Sequence, residues 1–188
     1  MRSRPLMLLL LGAILTGCAI ALPMNMRLAS PYEDRARGLR SSNTTPIALR
    51  WMPQDFPSRI DIQGASGFVG SGSRTRVPIG EALTGRIRDV LNASIGTDPN
   101  SARVLTITVI DAKSKFKYGF SRNQLTYGET HLKARFEIEN MNWEEDFSSQ
   151  IDKSQVAATW AYLLEKSWDE VSLQVGQNVL SHLRGGQK

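Results

Sequence analysis

The chain has 188 residues, with 23 lysines and arginines against 18 aspartates and glutamates, a formal charge of +5, two histidines and a single cysteine. That length suits one domain with a real core, the charge is too small to imply nucleic acid by itself, and one cysteine leaves no intramolecular disulfide, so stability has to come from packing. His131 and His182 lie far apart in sequence and suggest neither a metal site nor a catalytic triad.

The N-terminus opens with Arg2 and Arg4, runs through an apolar stretch over 6–14 and reaches Leu15-Thr16-Gly17-Cys18. A basic start, a short apolar run and small residues before a cysteine make the layout of an export signal. The Leu-Thr-Gly-Cys run resembles the lipobox of bacterial lipoproteins, in which the signal, here residues 1–17, is removed and the new N-terminal cysteine is acylated. The resemblance implies that Cys18 is the lipidation site, carrying chains such as palmitate. Because Ala19 rather than aspartate follows it, the resemblance points to the outer membrane and a periplasmic domain. About 170 residues then remain, and removal of Arg2 and Arg4 lowers the side-chain balance from +5 to +3. The competing reading is an uncut anchor, since 5–24 is uncharged and about as long as the ~20 residues a membrane helix needs.

From Ala19 to Pro46 the chain carries Pro23, Pro31, Ser41, Ser42, Asn43, Thr44 and scattered arginines without an apolar period. Residues 18–46 therefore read as lipidated cysteine plus tether, flexible or lying along the surface of a single periplasmic domain at 47–185. A first strand is expected at 47–51, and a second, half-buried one at 59–63, where polar and apolar residues alternate. Pro53 and Pro57 enforce a turn between them. The glycines at 64, 67, 70 and 72 raise the question of phosphate binding, but their spacing matches neither dinucleotide nor P-loop patterns. They predict a flexible loop, beside which Arg74 and Arg76 could meet an anionic partner.

Ile79, Leu83, Ile87, Val90, Leu91 and Ile95 fall at helical spacing, with Pro78 fitting the first turn and Gly96 ending the helix. Strands at 104–110, 132–138 and 143–151 follow as an antiparallel meander. A long helix over 154–183, capped by Ser154 and stopped by Gly185, carries the apolar stripe Ala157, Trp160, Leu164, Trp168, Val171 and Val175. The expected fold is α+β: two helices packed on one face of a small antiparallel or mixed sheet. Together with the lipobox, that layout is similar to small envelope lipoproteins of the YajG kind and to the lipoprotein plug of the lipopolysaccharide exporter. The resemblance implies a place in the cell envelope.

Lys113, Lys115 and Lys117 alternate with Phe116, Tyr118 and Phe120, and they stand where the core phase of Leu105, Ile107 and Val109 would continue. Either a bulge near Asp111-Ala112 corrects the phase, or the arm leaves the core as a hairpin through Arg122-Asn123-Gln124 and returns by Leu125 and Tyr127. The lysines either form a solvated face protecting an exposed strand or, with Arg122, bind an anion such as a lipid headgroup, lipopolysaccharide or acidic polymer. On the last helix Tyr162, Asp169, Leu173 and Leu180 align opposite the apolar stripe. Either the tether or a packed hairpin covers Tyr162, Leu173 and Leu180 within the monomer, or they form a self-association or partner surface. Glu144, Glu145 and Asp146 read as a polar hairpin edge rather than the acid pair of a glycosidase, because adjacent strand residues alternate faces. No catalytic residue, metal or cofactor is expected. The sequence favours a non-enzymatic interaction or assembly subunit of an envelope complex, with a carrier or sensor of an anionic glycolipid or polymer as the alternative.

Overall fold

The computed structural model describes residues 19–21, 24–40, 45–63, 74–117, 126–152 and 160–185. In chain order the elements are β1 (Ala19–Ala21), α1 (Ser30–Gly38), β2 (Ala48–Met52), a 3-10 turn (Phe56–Ser58), β3 (Asp61–Gln63), β4 (Arg74–Val77), α2 (Ile79–Ser94), β5 (Val104–Lys117), β6 (Tyr127–Ile138), β7 (Met141–Asp152) and α3 (Trp160–Gly185). The fold is α+β, and the described residues hold one more helix and one more sheet than the sequence suggests. The larger sheet has the order β2-β5-β6-β7, with β2 parallel to β5 and the other pairs antiparallel. The smaller has the order β1-β4-β3, with β1 parallel and β3 antiparallel to β4. The strand expected at 59–63 therefore belongs to a separate sheet. Its isoleucines face outward, Ile60 at 54% and Ile62 at 58% exposure, so the half-buried reading of this strand fails.

One face of the larger sheet carries the core. Leu105 and Ile107 of β5, Leu132, Ala134 and Phe136 of β6 and Phe147 of β7 join Leu83, Ile87 and Leu91 of α2 and Leu164, Trp168, Val171 and Val175 of α3 in one cluster. Each such side chain contributes on the order of 1.5–3 kcal/mol when fully removed from water. Pro78 leads into α2, and Gly96, at φ 98°, closes it by donating its N–H to the Leu91 carbonyl at 3.0 Å. The Gly96 carbonyl in turn accepts from Ile47 N–H at 3.2 Å, so the end of α2 lies against the start of β2.

Between Val109 and Asp111 the pairing of β5 with β6 slips by one residue. Ile110 is the extra residue, 47% exposed. Before it Leu105 and Ile107 point to the helices; after it Ala112 and Ser114 do, and both are buried. The phase correction is thus a bulge, and β5 stays paired with β6 as far as Lys117.

The far half of this hairpin meets α3 through backbone and hydroxyls rather than through large apolar groups. A side-chain carbon on Gly128 would fall 2.6–2.8 Å from the α3 backbone at Leu163 and Leu164, so glycine is what lets helix and strand touch. Beside it Trp168 Nε1 donates to Ser114 Oγ at 2.7 Å, Ser114 and Thr130 hydroxyls meet at 3.0 Å, and Thr130 meets Ser167 at 2.6 Å. These buried polar atoms satisfy one another, which fixes the helix on the hairpin.

The segment expected as a tether is ordered where described. Pro31 stands in the first turn of α1, Glu33 lies near its N-terminus, Arg35 and Arg37 near its C-terminus, and Glu33 pairs with Arg37 one turn on. Tyr32 and Ala36 are buried with Leu28 against Val90 of α2 and Leu173 of α3. Leu173 and Leu180 are 1% and 2% exposed, so they are core residues and offer no self-association surface in this chain. Of the three, only Tyr162 is exposed, at 38%. Ser154 and Ala157, and the side chain of Trp160, lie outside the described residues.

Candidate functional site

The N-terminal segment is held by a buried charge pair. Arg86 of α2 donates from Nε to Asp169 Oδ1 of α3 at 2.9 Å, with side chains 1% and 2% exposed. Arg86 also donates to the Asn25 carbonyl at 2.7 Å, while Ala29 N–H donates to Asp169 at 3.4 Å. The guanidinium lies 5.1 Å from the centre of the Trp168 ring. Burial lowers the Arg86 pKa and raises that of Asp169, each effect opposed by the partner's charge. Around this pair Asn25 N–H donates to Glu165 at 2.7 Å, Arg27 pairs with Asp89 at 2.8 Å, and Tyr32 donates its hydroxyl to Glu170 at 2.8 Å. Burial, and then Glu170, raise the Tyr32 pKa, so the phenol stays neutral. A cavity of about 470 Å³ runs between this segment and α2. Its charged lining is of both signs: Arg27 and Arg88, Glu81 and Asp89.

The opposite face of the larger sheet has no described element over it. Lys113 pairs there with Asp111 at 2.7 Å and Lys115 with Glu129 at 3.1 Å, while Lys117 lies 5.9 Å from the centre of the Tyr127 ring. His131 meets Asp146 at 3.1 Å and Asp111 at 3.7 Å, and Arg135 pairs with Glu144. The hydrogen bond from Lys113 holds the Asp111 carboxyl below its usual range. Met52, 39% exposed, pairs in register with Thr108, two residues before the exposed Ile110. The face is a ladder of opposite charges with an apolar spot at the bulge. Two of the three proposed anion-binding lysines already have carboxylate partners, and Arg122 lies outside the described residues, as do Cys18 and the glycines at 64–72.

The three adjacent acids part company. Glu144 joins Arg135 and Asp146 joins His131 on the open face, whereas Glu145 accepts from Asn178 of α3 at 3.0 Å on the helix side. His182 stacks on Trp143 at 4.2 Å, far in structure from His131. Among the described residues no cluster of histidine, cysteine or carboxylate side chains could hold a metal, and no helix is long and apolar enough to cross a membrane.

In fold the chain is similar to a Xanthomonas campestris protein assigned to the family DUF330. The TM-score is 0.50 and the identity 14%, over 91% of this chain and 100% of that one. An Acinetobacter baumannii structure titled a minor lipoprotein superposes with a TM-score of 0.38 and 11% identity, over 73% of this chain and 93% of that one. Neither a family model nor a curated relative matches the sequence. At 14% identity the likeness to the Xanthomonas protein shows the fold alone.

The buried Arg86–Asp169 pair is the feature that sequence reasoning missed most completely. Arg86 sits on the non-apolar side of the α2 pattern, and such a residue ordinarily faces water. A signal for α1 was present, however: Pro31, then Glu33 and Arg37 one turn apart, with Tyr32 and Ala36 sharing a face.

Proposed function

We propose that this chain is a non-catalytic lipoprotein of the bacterial envelope, held in the outer membrane by acylated Cys18. Its periplasmic domain serves as an interaction subunit of a larger assembly. The observation that carries this reading is the uncovered face of the β2-β5-β6-β7 sheet, where ion pairs extend along β5, β6 and β7 beyond the exposed Met52 and Ile110. Complementary charge speeds and orients protein encounters, and a small desolvated apolar centre supplies most of the affinity.

The test is a pull-down from solubilised membranes with the acylated protein and with a Met52→Asp, Ile110→Asp variant. One stoichiometric protein partner that the variant loses, at unchanged melting temperature, supports the reading. Co-purifying glycolipid or polymer without a protein partner overturns it in favour of a carrier. Anchoring is tested separately: Cys18→Ser should leave a longer, unacylated precursor, and maturation to the parent's protein mass would remove the lipoprotein reading.

A further inference from the structure

The anchor and the domain meet with no linker between them. β1 begins at Ala19, the residue bonded to Cys18, and consecutive Cα atoms are about 3.8 Å apart. β1 runs beside β4, pairing Ala21 with Arg76, and β3 pairs Ile62 with the same Arg76. Arg76 and Ile62 thus share one face of the small sheet. The other face is the inner one, since Val77, the next residue of β4, is fully buried. The outward face also carries Ile62, in register with exposed Arg76, and Ile60 precedes β3 directly; these two isoleucines are the most exposed large hydrophobic residues among those described.

The small sheet has a fixed place on the larger one. The Gln63 side chain donates to the Ser114 carbonyl and accepts from Phe116 N–H at 3.2 Å, which fastens β3 to the free edge of β5. Lys115 and Lys117 lie at that same end. The turn at Glu139 and Asn140 lies at the other, since Thr130, paired with Ser114, and Ile138 are separated by roughly 27 Å of strand.

Resting on the reading of Cys18 as the acylated residue, we infer that the outer face of the β1-β4-β3 sheet is the surface by which the domain sits on its own bilayer. Ile60 and Ile62 enter the headgroup boundary, and Arg76 meets lipid phosphate. The occupant is a membrane and not a protein because the acyl chains leave the fold one residue from β1. They commit that end to lipid, where exposed isoleucines leave water and cations find anionic headgroups. The domain then stands upright, with its Asn140 end pointing away from the membrane.

Acylation consumes the only native thiol, so single cysteines can be labelled without interference. The acylated protein, carrying Ile62→Cys or Asn140→Cys with an environment-sensitive fluorophore, is reconstituted into vesicles of phosphatidylethanolamine and phosphatidylglycerol. The expected result is severalfold weaker iodide quenching at position 62 than at 140, together with quenching at 62 alone by a lipid bearing a headgroup nitroxide. Equal access at the two positions in protein whose mass shows the acyl chains overturns the membrane face and leaves the lipoprotein reading intact. Protection at 62 without quenching by the headgroup nitroxide also overturns it, since protein would then be the cover. A mass without acyl chains removes both readings.

Discussion

Arg86 and Asp169 face each other at 2.9 Å across the junction of α2 and α3, and the backbone of residues 25–29 bonds to both of them. A single guanidinium therefore ties three parts of the chain together.

Removing one partner strands the other in a dry interior. Asp169→Ala is expected to cost about 3–5 kcal/mol, whereas Arg86→Met combined with Asp169→Leu should recover most of that loss. Urea unfolding of the two variants checks this. A double variant as unstable as the single one would mean that the pair's hydrogen bonds to Asn25 and Ala29, and not the stranded charge, dominate.

Leu173 lies between α1 and α2 with almost no exposure. Leu173→Ser should lower stability by an amount in the range of about 2–5 kcal/mol seen when a large core side chain is truncated. Sedimentation should not change. A variant that unfolds at the parent's midpoint but sediments differently would return this residue to an interface.

Gly128→Ala places a methyl group against the α3 backbone at Leu163 and Leu164. Neither partner is a flexible side-chain end, so helix and hairpin must separate, at a cost of about 1–3 kcal/mol. The indole Nε1–H signal of Trp168, which donates to Ser114 two strand positions from Phe116, should shift in the NMR spectrum. An unshifted signal with parental stability would refute the contact.

Asp111 titrates low because Lys113 hydrogen bonds to its charged form. A depressed folded-state value means that the stabilisation is present above the unfolded carboxylate value, about 3.9, and is lost as pH falls through the lower folded value. With the Asp111 side chain 35% exposed, solvent screening limits the effect to about 1 kcal/mol or less. Carbon-detected NMR titration should place the Asp111 midpoint below the ordinary value, and Lys113→Gln should raise it. A midpoint unmoved by that substitution would dismiss the pair.

The meander, α2 and α3 were legible in the sequence because their apolar periods are long and each is set by one buried face. Leu105 and Ile107 alternate, Leu83 and Ile87 recur at one turn, and tertiary packing only confirms them. Of the small sheet only the strand at 59–63 was legible, and that it belongs to a separate sheet was not. β1 and β4 are three and four residues long, too short for a period to show, and the apolar alternation of Ile60 and Ile62 points into solvent. Of the proposed sites, Leu173 and Leu180 stood open between a covered face and a partner surface, because a stripe opposite the core looks unpartnered until α1 is seen against Leu173 and Leu180 is found in the main core. The lysines of β5 were visible as a row, but their carboxylate partners come from β6 and from the bulge, and strand register is not written in one strand alone.

The bulge at Ile110 is what carries the buried face of β5 across a change of phase. Val109 pairs with Ala134 and Asp111 with Lys133, so deleting Ile110 alone would leave a regular ladder with Ala112 and Ser114 still toward α3. An added residue has no such relief. Inserted between Ala112 and Ser114, it would turn Ser114 and each later side chain of β5 to the opposite face and break the hydroxyl contacts of Thr130 and Trp168 together. The hairpin thus has one residue to spare at the bulge and no room for another beyond it.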